Sequence, residues 1–136
     1  MADLSITAAN VVKYASATTR TGTAGATIAA GDTLYLDSAD SLLKLALADT
    51  AAKAACVGIA LDGAATGQPV VYLAAGGINP GAAVTVGVYY CVSDNAAGKI
   101  APIADISSTF YPTGLGFATT TSRIEVVLNA PGVVIA

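Results

Sequence analysis

The chain has 136 residues and a net charge of −3, and its isoelectric point is about 4.4. Hydrophobic residues make up 54% of it and charged residues 11%, well below the roughly 25% usual in soluble domains. The six Lys and Arg are scattered with no basic stripe, which argues against nucleic-acid binding. A chain of this length is expected to fold as a single domain with a core of its own.

The low charge fraction has three interpretations: a membrane protein, an alanine-rich chain, or a surface covered by other subunits. The longest charge-free stretch, residues 63–93, is long enough to span a bilayer. Glycines, prolines and an asparagine interrupt it, so one helix in lipid would not satisfy its backbone hydrogen bonds. Its pieces have the length of strands. The N-terminus lacks a basic leader, and we expect neither a transmembrane span nor a secretory signal.

Ala, Thr and Gly dominate the N-terminal segment, where large side chains are few. Such a segment contributes little to a core. It is either an edge strand with loops or an extended arm that becomes ordered against another subunit, and the sequence favours neither. We therefore divide the chain into an N-terminal arm or edge segment, residues 1–25, and a single compact β domain, residues 26–136.

The stretch GDTLYLDSADSLLKLALAD, residues 31–49, fits either a helix or a hairpin. Ala and Leu favour helices, and Asp40 or Ser41 would cap one. However, a helix beginning at Leu42 would spread its leucines around most of its circumference, whereas in strands the leucines fall on alternate positions. The pattern therefore predicts a hairpin with the sequence SADS, residues 38–41, as its turn.

Further apolar runs, separated by Gly, Pro, Asn and Asp, predict the rest of the fold. A helix of one or two turns, capped by Asp49 or Thr50, covers about residues 50–55. We expect strands over residues 56–62 and 69–77, the longest strand over 83–93, a weak edge strand from residue 100, and a terminal hairpin over 115–129 with Ile124, Val126 and Leu128 inward. The fold class is thus mainly β, a small antiparallel β-barrel or sandwich with one short helix and an extended N-terminal arm. The apolar tail, residues 130–136, is expected to pair or dock.

The chain carries neither His nor Trp, which excludes hydrolytic sites with a His base and the common His-containing zinc sites. Cys56 and Cys91 lie in apolar runs and are expected to be buried thiols. Four aspartates fall between residues 32 and 49 without EF-hand spacing, so turns and caps explain them better than calcium does. Paired carboxylates for glycoside hydrolysis lack a Trp platform for the sugar. We expect no enzyme activity, no catalytic residue, no cofactor and no metal site.

Aromatic and basic side chains supply the candidate contact residues. Tyr89 and Tyr90 are adjacent on one predicted strand, so one ring points into the core and the other points outward. Outward tyrosines are common interface anchors. The candidate subunit contacts are Tyr14, Arg20, Tyr90, Phe110 and Tyr111.

Four short motifs resemble those of a known family. They are Ala-Gly-Asp-x-x-Tyr-Leu-Asp at residues 30–37, Val-Gly-Ile-Ala-Leu at 57–61, Gly-Gln-Pro-Val at 67–70 and Leu-Gly-Phe-Ala at 115–118. With the residues that flank them, they are similar to small tailed-phage virion proteins of the capsid decoration, cement or head-fibre kind. The resemblance covers most of the chain from residue 24 onward, and its motifs consist of turns and strands.

The resemblance implies a compact β domain on the outer surface of an icosahedral head, without catalytic residues. Such proteins commonly form trimers at local threefold positions and clamp neighbouring major capsid subunits. The expected partners are therefore the major capsid protein and further copies of the chain, with no nucleic acid and no membrane. Many members extend an N-terminal arm, which suits residues 1–25. Two other functions stay open: a head-fibre base or tail-associated adhesin that recognises host glycans and, less favoured, a subunit of a cellular shell or surface layer.

Overall fold

Antiparallel strands form most of the structure, as the short apolar runs predict. The computed structural model describes residues 4, 6–48, 50–93, 96–103 and 113–129. These ranges contain one 3-10 turn (Ala8–Asn10), one helical turn, α1 (Ala51–Ala54), and ten strands. The strands are β1 (Val11–Lys13), β2 (Thr18–Thr23), β3 (Thr33–Leu36), β4 (Leu43–Leu45), β5 (Cys56–Ala60), β6 (Pro69–Pro80), β7 (Tyr89–Val92), β8 (Ile100–Pro102), β9 (Gly114–Thr120) and β10 (Arg123–Asn129). The predicted fold class is confirmed, because the protein is mainly antiparallel β with a sheet curled into a half barrel.

The long strand β6 organises the fold because it belongs to two sheets. Its first half pairs with β2 and β5, which meet it on opposite sides at Leu73. Its second half pairs with β1 and β10, which meet it at Ile78. Sheet 1 therefore has the order β4-β3-β5-β6-β2, and sheet 2 has the order β1-β6-β10-β9-β7-β8.

β6 passes from sheet 1 to sheet 2 at Gly76 and Gly77. Gly76 has a φ of +99°, a conformation that glycine adopts without steric cost. A Cβ at this position would lie 2.5 Å from the Ser16 carbonyl oxygen and 2.6 Å from Ala17 Cα. The next residue, Gly77, donates its N–H to the Ser16 hydroxyl at 3.2 Å. The absence of a side chain at Gly76 thus allows the segment between β1 and β2 to pack directly on β6.

The N-terminal strands β1 and β2 run one after the other along β6, antiparallel to it. β1 covers the second half of β6 and β2 covers the first half. Beyond β2, Ala24 forms an isolated parallel bridge to Leu43 of β4, which draws the two ends of sheet 1 together. Residues 11–23 therefore pair within their own chain. Ordering of this segment against another subunit, and the domain division at residue 25, stay predictions.

Residues 83–93 do not form the longest strand, so that prediction is wrong. Of these residues only Tyr89–Val92 form a paired strand. Gly87 has a φ of +84° and lies in a turn that leads into the strand. Apolar alternation carries no information about this change of backbone direction. The longest strand in the described ranges is β6, which continues beyond the predicted end at residue 77 to Pro80.

The hairpin predicted within residues 31–49 is confirmed. Leu36 pairs with Leu43, and Leu34 pairs with Leu45. Leu34 and Leu43 are fully buried, whereas Leu36, at the end of β3, is 51% exposed. Period-two alternation therefore outweighs the helix propensity of Ala and Leu in this stretch.

Three charged side chains stabilise the turn of this hairpin. Lys44 Nζ lies 2.8 Å from Asp37 Oδ2 and 3.0 Å from Asp40 Oδ2. The Oδ1 atoms of the two carboxyls accept the backbone N–H groups of Ala39 and Leu42. The hydrogen bonds from Lys44 hold the pKa of both carboxyls below their ordinary value. Both aspartates thus serve the turn, as predicted.

Where the sequence predicts a short helix, the structure has a single helical turn of four residues, α1. Thr50 Oγ1 accepts the N–H of Lys53 at 3.3 Å, which is the arrangement of an N-cap. The hydroxyl of Thr113 donates a hydrogen bond to the carbonyl of Ala54, the last residue of α1. Asp49, the alternative cap, lies outside the described residues.

Two buried clusters of apolar side chains form the core. The smaller cluster lies within sheet 1 and includes Ile28, Leu34, Leu43 and Val70. The larger cluster joins both sheets and includes Ile59, Leu73, Ile78, Tyr90, Ile100, Leu115, Ile124 and Val126. β6 contributes to both clusters, so the sheets share their packing as well as a strand.

The cysteines and the terminal hairpin follow the sequence predictions. Cys56 and Cys91 are buried, unpaired thiols, and burial raises the pKa of each to about 11. β9 and β10 pair around a turn at residues 121–122, with Ile124 and Val126 buried and Leu128 half-buried. The tail, residues 130–136, lies outside the described residues. No helix within the described ranges is long and apolar enough to cross a membrane.

Candidate interaction surface

The outer face of sheet 2 carries a groove with exposed apolar side chains, which we call the aromatic groove. Its volume is about 660 Å³. Phe117 is 55% exposed and Val127 is 73% exposed, although both are large apolar residues on central strands. The lining residues are Tyr89, Gly116, Phe117, Thr119, Glu125, Val127 and Leu128.

Tyr89 and Phe117 form the aromatic wall of the groove. They are cross-strand partners on β7 and β9, their ring centroids are 4.7 Å apart, and the rings meet edge to face. The Tyr89 ring lies over Gly114, where a Cβ would overlap the phenol. The absence of a side chain at Gly114 therefore leaves the space that the Tyr89 ring occupies. The pair is fixed by the sheet register, so the aromatic wall is formed before any partner binds.

β10 forms the opposite wall of the groove, and a β-bulge follows Val126. Val126 pairs with Gly116 and Asn129 with Gly114, so two residues of β10 lie opposite one residue of β9. Bulges of this kind redirect side chains and bend the strand. Val126 is buried, whereas Val127 turns to the outer face beside Phe117.

A charged cluster borders the groove. Arg123 Nε donates to Glu125 Oε1 at 2.5 Å, and Arg123 Nη2 donates to the Ser16 hydroxyl at 3.1 Å. The guanidinium lies 4.5 Å from the centroid of the Tyr14 ring, a cation–π contact. It also lies against Gly77, where a Cβ would meet its Nη2 atom at 2.6 Å. Arg123 is thus held against β6 and the segment between β1 and β2, and Glu125 is the charged residue that lines the groove.

Among the predicted contact residues that the structure describes, Tyr14, Arg20 and Tyr90 do not lie in one site. Tyr14 lies beside the groove through its contact with Arg123, and Arg20 is exposed on β2, opposite Tyr72. Tyr90 is 3% exposed, and its hydroxyl accepts the N–H of Thr85 at 3.0 Å.

One tyrosine of the adjacent pair points inward and the other outward, as predicted. The outward position belongs to Tyr89, because Tyr90 packs in the chain's own core. Phe110 and Tyr111 lie outside the described residues. Phe117 and Val127 are not among the predicted contact residues. Leu115, two residues before Phe117, is buried, so period-two alternation alone would place Phe117 inward.

A second, more polar cavity of about 550 Å³ lies at the end of β6. Amide and hydroxyl side chains make up part of its lining, together with the exposed Val12. The polar lining residues are Asn10, Asn79, Thr121 and Ser122. Such groups offer both donors and acceptors.

Asp32 is a buried carboxyl at the start of β3. Burial raises the pKa of Asp32 above its ordinary value. Two contacts lower this pKa but do not offset the burial: Oδ2 accepts the Ala29 N–H at 2.9 Å, and Lys99 Nζ lies 3.7 Å from Oδ1. Asp32 thus serves the local turn, which agrees with the prediction for the acidic residues. In the part of the chain that the structure describes, no three His, Cys, Asp or Glu side chains form a metal-binding group.

Comparison with known proteins adds no family to this description. No protein-family model matches the chain, and no curated protein matches it in sequence. The aromatic groove is therefore the structural observation on which a function can be based.

Proposed function

We propose that the protein is a non-enzymatic virion protein that binds the outer surface of a phage capsid and stabilises the head by clamping neighbouring major capsid subunits. The observation that carries this proposal is the aromatic groove, an exposed apolar surface on the outer face of sheet 2. Exposed apolar patches bounded by polar residues are typical of protein interaction sites. The resemblance of the four sequence motifs to phage decoration proteins supports the same function.

The energetics of the groove suit a protein that acts in many copies. Full burial of one large apolar side chain contributes about 1.5–3 kcal/mol, so the exposed parts of Phe117 and Val127 would contribute about 1–2 kcal/mol each. A single contact of this size is weak after the cost of association. Bound copies that are linked to one another gain affinity without any new contact, because later binding steps become intramolecular.

On this proposal the protein assembles with further copies of itself, and the trimer is the favoured state. A trimer at a local threefold position would present three grooves to surrounding capsid subunits. The low charge fraction of 11% is compatible with a surface that neighbours cover. The N-terminal segment would add contacts between copies if it exchanges between subunits.

Heads with and without the protein provide the test. Purified protein is added to heads that lack it, and DNA release on heating is followed with a dye that reports exposed DNA. We expect stoichiometric binding on the outer surface and release at a temperature several degrees higher than in bare heads. Equal release temperatures, together with no co-sedimentation of the protein with heads, would reject the proposal.

A host-binding module is the second candidate, because the polar cavity offers amide and hydroxyl groups to a sugar. Asn79 and Asn10 would supply donors and acceptors of the kind that glycans use. A glycan array with the wild-type protein and an Asn10→Ala variant tests this function. Glycan binding by the wild type that the variant loses would favour the host-binding module. No binding on the array would reject this second candidate.

A further inference from the structure

The aromatic groove is apolar along its length and has one carboxylate at its edge. Glu125 is the charged residue among those that line it. Its described contacts with Arg123 use Oε1, and Arg123 lies against β6 and the segment between β1 and β2. Arg123 occupies Oε1 and offsets part of the charge of Glu125, so Oε2 is the carboxylate oxygen left for a ligand in the groove. Charge complementarity favours a ligand with a cation at this end.

The spacing of the groove residues defines the form of the ligand. Glu125 and Val127 are two residues apart on β10, and Glu125 lies directly opposite Phe117 on β9. Side chains two residues apart on an extended segment are separated by roughly 7 Å and point the same way. A basic residue and a bulky apolar residue at positions i and i+2 would thus face Glu125 and the Phe117–Val127 walls together.

The size of the groove favours a short segment over a second copy of the chain. Its volume of about 660 Å³ lies within the range of pockets that enclose a few side chains. A stable protein dimer usually buries about 800 Å² on each partner, far more than the exposed parts of Phe117 and Val127 supply. The apolar walls are also concave, which suits an inserted side chain better than a flat face.

We propose that the aromatic groove binds an extended segment of a partner protein that carries a Lys or Arg two residues away from a bulky apolar anchor. The anchor lies between Phe117 and Val127, and the cation contacts Glu125. This inference rests on the proposed function, in which the segment belongs to the major capsid subunit.

Two synthetic heptapeptides test the chemistry without a capsid. The first is acetyl-Ser-Thr-Lys-Thr-Leu-Thr-Ser-amide, and the second has Glu in place of Lys. Titration into ¹⁵N-labelled protein is followed by the amide signals of Gly116, Phe117, Glu125 and Val127. We expect shifts confined to this region and affinity for the Lys peptide about threefold or more above that for the Glu peptide, in line with exposed ion pairs.

Variants of the protein separate the contribution of the Glu125 charge from that of the apolar wall. Glu125→Gln should remove or reverse the preference for the Lys peptide, because it leaves the Arg123 charge without its carboxylate partner. Val127→Lys should abolish binding of both peptides. Val86→Lys is the matched control, because Val86 is 57% exposed and is not among the groove residues, so it should bind as the wild type does. Equal affinity of the wild type for both peptides, shifts outside the groove, or no binding at millimolar peptide would each overturn the inference.

The same variants distinguish this inference from the proposed function. If Val127→Lys protein still binds heads as the wild type does, the capsid function stands and the groove is not its contact. If the wild type binds the Lys peptide in the groove but no heads, the groove specificity stands and the capsid function falls.

Discussion

Gly76→Ala is the sharpest test of how β6 joins the two sheets. Gly76 has a φ of +99°, and an added Cβ would lie 2.5 Å from the Ser16 carbonyl oxygen and 2.9 Å from the Ala17 nitrogen. These are backbone atoms, which cannot rotate away as a side chain can. Gly67→Ala is a matched control, because Gly67 has a φ of +88° and no heavy atom within 4 Å of the added Cβ.

Gly76→Ala and Gly67→Ala share the free-energy terms that come from replacing a glycine with a positive φ. They differ in the steric contact with residues 16–17, which only Gly76→Ala makes. A positive φ at a residue with a Cβ costs about 1–2 kcal/mol, and replacing glycine lowers the entropy of the unfolded chain similarly in both. At Gly76 the segment 16–17 must also move, which breaks the hydrogen bond from Gly77 N–H to Ser16 Oγ and strains the one from Tyr14 N–H to the Gly77 carbonyl. Each lost hydrogen bond costs about 0.5–1.5 kcal/mol. We therefore expect Gly76→Ala to lose about 1–3 kcal/mol more than Gly67→Ala.

Urea unfolding followed by far-ultraviolet circular dichroism measures this difference directly. Amide exchange provides the local readout, since only Gly76→Ala should accelerate exchange in β2, whose pairing with β6 begins at Thr18. Equal free energies of unfolding for the two variants would show that residues 16–17 do not pack on β6. The described path of β6 between the sheets would then be wrong.

Three further predictions test the core, the buried carboxyl and the thiols. Leu73→Ala should cost about 2–5 kcal/mol, whereas Leu36→Ala, at a 51% exposed leucine, should cost about 0.5 kcal/mol or less in the same unfolding assay. Because burial raises the folded-state pKa of Asp32 above its ordinary value of 3.8, its contribution to stability falls as pH rises above that value. The stability of Asp32→Asn relative to the wild type should therefore increase between pH 3 and pH 7, and an unchanged difference would contradict this. Cys56 and Cys91, each with a pKa of about 11, should remain unreactive toward a thiol reagent at pH 8 until urea unfolds the chain.

Local pattern was sufficient for the elements whose signals are contained within a few residues. The β3–β4 hairpin is one of them, because its leucines alternate and its turn carries its own capping carboxyls at Asp37 and Asp40. The helical turn after Thr50 is another, because one side-chain hydrogen bond defines its start. In both cases the residues that determine the structure are neighbours in sequence, so composition and spacing are enough.

The path of β6 and the end of the 83–93 run could not be predicted in the same way. Gly76 and Gly77 look like a strand end, yet the strand continues through them, with the distant residues 16–17 beside Gly76 and Arg123 beside Gly77. Gly87 lies within an alternating run and looks like a strand interior, yet its positive φ forms a turn. The same residue type has opposite effects in the two places, and only the tertiary neighbours distinguish them.

The location of the aromatic groove depends on the same ambiguity between two faces of a strand. Two adjacent tyrosines on a strand place one ring inward and one outward. When both faces of the strand are apolar, alternation does not predict which of the two tyrosines faces the core. Gly114 resolves the choice, because only a residue without a Cβ leaves room for the Tyr89 ring on the outer face, and Tyr90 then packs in the core. In a chain that is 54% hydrophobic, an interface and a core contain the same types of residue. The glycines and the bulge in the facing strands are therefore better guides to the exposed apolar surface than the apolar residues themselves.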